Sequence, residues 1–234
     1  YASVRAKAGI KPGSVWTELG HLSTVLSWAK KTRLIDHVPH MERPPKPAPK
    51  GRYLTRAEID RLLAAPAEPH IKLAILLMLS TAARVTAILE LTWDRVDLDR
   101  GQIDLRKSST GPRKGRAVVP INDGLRQALL NAREAALTDH VVEWAGKPIK
   151  QIARGFKSAV VAAGLTDVSP HVLRHTSAVH MAEAGVPMPE ISQYLGHSNA
   201  VITERVYARF SPDHLRKAAQ VLDFTRSATL QNDI

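Results

Sequence analysis

Between Pro12 and Arg33 the apolar residues Val15, Leu19, Leu22, Val25, Leu26 and Trp28 recur at near-helical spacings, with Pro12 and Ser14 as start signals. The pattern predicts an amphipathic helix that needs a partner face. Residues 1 to 11 are too short to supply one, and the chain opens on Tyr1 with no initiator Met, so residues 1–40 read as part of a helical domain cut short. Pro39, Pro44, Pro45, Pro47 and Pro49 then forbid helix and favour an extended connector, which sets a linker at 41–53.

The second domain starts at Leu54, where Thr55 and Glu58 have capping-box spacing ahead of Ile59, Leu62 and Leu63. A more apolar helix is predicted from His70 to Ala82, ending near Arg84, and another from Thr86 to Trp93. Val96 to Leu98, Gln102 to Lys107 and Arg116 to Ile121 read as strands, with turn signals at Asp99-Arg100-Gly101 and Thr110-Gly111-Pro112. Helices follow over Asn122 to Ala136, Lys147 to Ala163, His171 to Ala184, Pro189 to Leu195, Ala200 to Tyr207 and Pro212 to Leu222. The fold class is mainly α with a small antiparallel β-sheet (α+β).

Charge adds a partner to this picture. The 234 residues carry a formal net charge of +11, an excess that attracts polyanions, nucleic acid foremost. Lys30 to Arg56 holds eight Lys or Arg against Asp36 and Glu42, and the loop Arg106 to Arg116 holds five and no acid. Lys46, Lys50 and Arg52 in the linker, and Arg106, Arg113, Lys114 and Arg116 in the hairpin, are the candidate phosphate contacts. With no cysteine there is neither a disulfide framework nor a thiolate metal site, as in a reducing compartment. No apolar run reaches the roughly 18 residues of a membrane span, so the cytosol is the expected location.

Ser169 to Phe210 carries the densest chemistry. His171 and Arg174 share a helix face, with His175 one residue further round. In Leu195-Gly196-His197 a glycine stop would turn the histidine into a cleft. Tyr207 can bury its ring and expose its hydroxyl. Upstream, Arg84 ends an apolar helix in Thr81-Ala82-Ala83-Arg84, poorly placed for a core and well placed to offer five donors to a phosphate. Singly, each has a plainer reading as an ion-pair partner, a satisfied core histidine or a rim aromatic. His171 and His175 also have the i, i+4 spacing of helical zinc sites, but Val172 stands where that motif has glutamate and the neighbours are basic, so no metal is expected.

Taken in order, Thr-Ala-Ala-Arg84, His171-Val-Leu-Arg174-His175, Leu-Gly-His197 and Thr203-Glu-Arg-Val-Tyr207 resemble the boxes of the tyrosine recombinases, in particular the phage-type integrases, from about Leu54 to the end. The resemblance implies the DNA breaking-rejoining catalytic fold over 54–211, the end of a SAM-like core-binding domain over 1–40, and a C-terminal helix and tail over 212–234 that docks on a neighbouring protomer. It implies site-specific recombination that integrates or excises a phage or mobile element, in a bacterial cytoplasm at the nucleoid. Tyr207 would be the nucleophile that forms a 3′-phosphotyrosyl link. Arg84 and Arg174 would hold the non-bridging oxygens, His171 would act as acid and base, and His197 would donate to the phosphate. Lys107, or alternatively Lys114, would protonate the leaving 5′-oxygen, and His175 would support packing. No cofactor, metal or ATP is implied. The implied partners are double-stranded DNA with attachment-type sites, three further copies in a tetramer on DNA (a monomer or weak oligomer when free), and an accessory DNA-bending protein. The sequence departs from the family pattern at Ala82, where glycine is usual, and at Ala87, where an acid is usual. A catalytically silent DNA-binding protein and a type IB topoisomerase-like enzyme are the alternative readings.

Overall fold

The computed structural model describes residues 1–46, 51–106, 117–197 and 199–222. Contacts divide the chain into two units, residues 1–51 and 52–234. In the first, α1 (Ala2–Lys7) precedes α2 (Pro12–Lys31), which buries Val15 and Leu19 and leaves Leu22, Val25 and Trp28 exposed. Half of the predicted apolar stripe is therefore bare. The first part of the proline-rich segment packs back on α2: the Arg43 guanidinium lies 4.0 Å over the Trp16 ring and donates to the Trp16 carbonyl at 3.0 Å.

The second unit is built on two helices that bury most of their surface. α4 (Pro69–Thr81) packs along α8 (Pro170–Glu183), and between them Ile75, Leu77, Met78, Leu173, Ala178 and Val179 are almost fully buried. Each large apolar side chain removed from water there contributes about 1.5–3 kcal/mol. α3 (Arg56–Ala64) begins with the predicted capping box, the Thr55 hydroxyl accepting from Glu58 N and the Glu58 carboxylate accepting from Thr55 N. α7 (Ala153–Ala162) approaches α4 so closely that a Cβ on Gly155 would stand 2.6 Å from the Ile71 side chain. Only glycine fits that contact.

Between the α4–α8 pair and the hairpin, α5 (Val85–Leu89) is followed by a 3₁₀ turn at Trp93–Arg95. The helix predicted to Trp93 is thus cut to five residues. β1 (Val96–Asp97), β2 (Gln102–Asp104) and β3 (Val118–Pro120) form an antiparallel sheet in that order, with Ile103 and Val119 paired and turned inward. α6 (Asp123–Glu134) follows, its N-terminus capped by Asn122, which accepts from Leu125 N at 2.9 Å.

The predicted helix from Lys147 begins only at Ala153. Before it, β4 (Glu143–Trp144) and β5 (Lys147–Pro148) form a tight hairpin whose turn, Ala145-Gly146, has φ of 49° and 70°. Two positive φ angles make the turn type that suits a two-residue hairpin. α9 (Met188–Leu195), α10 (Ala200–Tyr207) and a 3₁₀ turn (Ala208–Phe210) pack around the end of α8. α11 (Arg216–Val221) is shorter than predicted, and residues 212–216 and 218–222 are exposed. Among the described residues no helix is long and apolar enough to cross a membrane.

Candidate active site

A helix C-terminus leaves carbonyls without intrahelical partners, and at α4 these are taken up by side chains. Thr81 Oγ donates to Leu77 O at 2.6 Å, Ser177 Oγ of α8 to Leu79 O at 2.7 Å, and Tyr194 Oη of α9 to Ser80 O at 2.7 Å. The next residue, Ala82, ends the helix in the left-handed conformation (φ 50°, ψ 21°), and its carbonyl accepts from Arg174 Nη1 at 2.7 Å. A residue with a Cβ in that conformation costs about 1–2 kcal/mol. The result is a chain reversal held from two other helices, and it delivers Arg84 as the cap of α5.

Arg174 is 5% exposed. Its Nη2 donates to Leu195 O at 2.8 Å and to His197 Nε2 at 3.0 Å. Because His197 Nε2 accepts, its ring proton sits on Nδ1, which donates to Thr203 Oγ at 2.8 Å. Gly196 makes this possible by closing α9 in the left-handed region (φ 64°), which turns His197 back toward α8. In the free site His197 is thus a neutral acceptor, and donation to a phosphate requires that ring to exchange its partner.

The hydrogen-bond partners of Arg174 among the described residues are carbonyls and an imidazole, none of them a carboxylate. Burial, followed by the positive charge of Arg84, pushes its pKa down to about 10. Burial first, then Arg174 and Arg84, also holds the pKa values of His171 and His197 below the usual imidazole value. Two guanidiniums beside two neutral imidazoles, within one another's field, favour the binding of an anion. Arg84 and Arg174 line a single cleft with Ala87, Tyr194 and the paired Leu105 and Ala117 at the base of the β2–β3 loop.

Tyr207, at the end of α10, is 7% exposed, and burial raises its phenol pKa while the Arg174 charge draws it back. Its hydroxyl lies 3.2 Å from His175 Nδ1. His171, near the start of α8, makes no described hydrogen bond to Tyr207. The arrangement brings Arg84, His171, Arg174, His197 and Tyr207 together and adds two residues for which no role was expected from sequence. Thr203 fixes the His197 tautomer and Tyr194 fixes the end of α4, while His175, expected to support packing, touches the phenol. Thr203 had one available signal, since it stands four before Tyr207 on the same helix face.

The basic candidates are less uniform. Arg52 forms a two-pronged ion pair with Glu58, 2.6 and 3.0 Å, and Arg106 another with Asp104, 2.7 and 2.9 Å. Lys46 Nζ lies 5.9 Å over the Trp16 ring. Lys50, Lys107, Arg113, Lys114 and Arg116 lie outside the described residues. A separate cavity of about 700 Å³, lined by Leu73, Leu76, Ala132, Leu137, Val141 and Trp144 among others, contains none of the phosphate-directed residues.

Residues 52–214 match the phage integrase family. The tyrosine recombinase XerA of Thermococcus kodakarensis is 32% identical over 197 residues, covering 80% of this chain and 68% of that protein. The integrase of Salmonella phage P22 is 24% identical over 244 residues, covering 95% of this chain and 61% of its own length. This chain therefore spans about two thirds of the length of these relatives. In three dimensions it resembles the integrase of transposon Tn1549 in complex with a circular intermediate DNA, with a TM-score of 0.77 at 19% identity, covering 94% of this chain and 83% of that one. That likeness is one of fold.

Proposed function

We propose, because the chain belongs to the phage integrase family of tyrosine recombinases, that it cleaves and rejoins double-stranded DNA at specific sites. The observation that carries the reading is the cleft shared by Arg84 and Arg174, with the Tyr207 phenol inside the field of the buried guanidinium. A phosphodiester is an anion that two guanidiniums can hold, and beside a phenol it is one for which transfer chemistry follows.

In this mechanism Tyr207 Oη attacks the scissile phosphorus, the bond to the 5′-oxygen breaks, and a 3′-phosphotyrosyl link forms. The phenol proton passes to His171, the acid–base group near the nucleophile. Arg84 and Arg174 carry the charge that grows on the non-bridging oxygens, and His197 adds a hydrogen bond once its ring leaves Arg174. A hairpin lysine protonates the departing 5′-oxygen. Lys107 is two residues beyond Leu105, which lines the cleft, a chain length whose reach is at most about 7 Å. Lys114 is three residues from Ala117 and is the alternative. The reverse attack by a 5′-hydroxyl of another strand completes the exchange, and the phosphotyrosyl bond conserves the energy of the broken diester. No metal, ATP or other cofactor has a step in this scheme.

The natural substrates are attachment-type sites of a phage or other mobile element, in a bacterial cytoplasm at the nucleoid. Four copies act on paired sites, with an accessory DNA-bending protein assisting. Residues 1–40 belong to a DNA-embracing helical domain, 41–53 to a basic linker along the phosphates, 54–211 to the catalytic domain and 212–234 to a segment exchanged between protomers. Incubation with a nicked site-bearing DNA should trap a covalent adduct that Tyr207→Phe lacks. Specific binding with no adduct would instead mark a DNA-binding protein without chemistry, and supercoil relaxation without strand exchange a topoisomerase-like enzyme.

A further inference from the structure

His175 belongs to α8, and Tyr207 reaches it from the end of α10 across 32 positions of sequence. Both are buried, their ring centroids lie 5.2 Å apart, and Tyr207 Oη stands 3.2 Å from Nδ1. The other ring nitrogen, Nε2, is buried with no hydrogen-bond partner among the described residues. An unmade buried hydrogen bond costs about 1–3 kcal/mol, a cost that leucine or phenylalanine at the same place would avoid. A role in packing therefore does not account for the imidazole, whereas the contact made by Nδ1 does.

We propose that His175 is the positioning residue of the nucleophile: its Nδ1 accepts the hydrogen bond of the Tyr207 hydroxyl and fixes Oη in the site. This rests on the reading of Tyr207 as the nucleophile. The groups facing the imidazole are His171 on its own helix, Arg209 from the turn after α10, Tyr207, and Tyr53, whose ring meets it edge-on at 6.5 Å. Burial first, then the charges of His171 and Arg209, favour the neutral imidazole that can accept. Burial also raises the phenol, so the ordinary gap between 6.5 and 10.0 widens rather than closes. The accepted hydrogen bond orients the hydroxyl, whichever group takes its proton in the attack.

The test uses the full chain on a nicked site-bearing DNA, following the rate of covalent adduct formation. His175→Ala and His175→Gln should slow it between about tenfold and a hundredfold at unchanged DNA affinity, the range for a lost hydrogen bond and a misplaced attacking atom. His175→Asn, whose amide oxygen stands where Nδ1 stood, should recover to within about threefold of wild type, a loss below one hydrogen bond. A 5′-bridging phosphorothiolate, whose leaving group needs no proton, should leave the His175→Ala defect in place. Wild-type rates for His175→Ala, equal rescue by Gln and Asn, or cure by the phosphorothiolate would each overturn the inference. The Asn and Gln variants, compared at matched thermal stability, decide it even if Ala loosens the fold. Absence of any adduct with the wild-type protein would overturn the nucleophile assignment itself, and this inference with it.

Discussion

Arg174 Nη1 donates to the carbonyl of Ala82 over 2.7 Å and across 92 positions of sequence. The buried cation and the turn that delivers Arg84 are therefore one mechanical unit, and a disturbance of either is felt at both.

Ala82 is fully buried and left-handed, so its tolerance is narrow. Ala82→Gly relieves about 1–2 kcal/mol of backbone strain. It also loses a buried methyl and adds chain entropy of about 0.5–1 kcal/mol. The expected net change is within about 1 kcal/mol, a few degrees in Tm for a domain this size. Ala82→Val, β-branched in a conformation hostile to branching, should lower Tm far more and reduce cleavage with it. Thermal unfolding of the pair checks this, and a Val variant as stable as wild type would contradict the strain.

Arg174→Lys tests whether charge alone suffices. A single ammonium cannot span Ala82 O and Leu195 O and still face the cleft, as the planar guanidinium does. Cleavage should fall about 10²-fold or more, the scale for a lost transition-state donor, and Tm should fall as well. Near-normal adduct formation by the lysine variant would show that the fork geometry is dispensable.

These relationships separate what sequence could disclose from what it could not. The Thr55–Glu58 capping box and the Gly196 stop were legible because their partners lie within a few residues. The β4–β5 hairpin was hidden because Ala145-Gly146 lacks the Asn-Gly or Asp-Gly signal, so apolar residues from Lys147 onward passed for helix. α5 shows the same limit: Ala87, Ile88 and Leu89 are buried, and the helix stops at Leu89 with no stop residue to announce it. The boxes located Arg84, Arg174, His197 and Tyr207 by order alone. The hydrogen bond between His175 and Tyr207 depends on how α10 folds back on α8, and no spacing encodes that return.

Acid should weaken the free protein in a defined window. His171, His175 and His197 have folded pKa values below 6.5, each through burial first. In the unfolded chain they take protons that the folded site refuses, so stability falls as pH drops through about 6.5 toward the folded values and is level below them. Above that window the three contribute nothing. Tm at pH 5.5 should lie below Tm at pH 7.5, less so for His175→Asn, and less so with DNA present, because phosphate charge favours the imidazolium forms. A pH-independent Tm across this range would refute the assignment.

Arg52 offers a contrast between fold and DNA contact. Its guanidinium holds Glu58, whose carboxyl it draws down to about 2, and Glu58 in turn caps α3. Stability from this pair is present above the ordinary carboxylate range and is lost as pH falls from about 4.5 to 2. Arg52→Gln should lower Tm by a few degrees, the effect of about 1 kcal/mol from a weakened cap. Its salt dependence of DNA binding should change by less than the loss of one free phosphate contact. A full unit less in the salt slope, with Tm unchanged, would return Arg52 to the phosphate contacts.

The C-terminal segment differs from every other helix of the unit in what it does not bury. Leu215, Val221 and Leu222 are 68%, 77% and 65% exposed, so α11 contributes little to the stability of its own domain. If a second copy of the chain buried these apolar side chains, on a solvent-bathed helix that follows Tyr207, each would contribute about 1.5–3 kcal/mol. Deleting residues 212–234 should therefore leave Tm and single-site DNA affinity close to wild type. It should abolish assembly of paired sites and recombination between them. Adduct formation on a single nicked site isolates the catalytic unit from that assembly and should persist. A large fall in Tm would show that the helix packs in its own domain, and recombination at full rate by the shortened chain would remove the need for exchange.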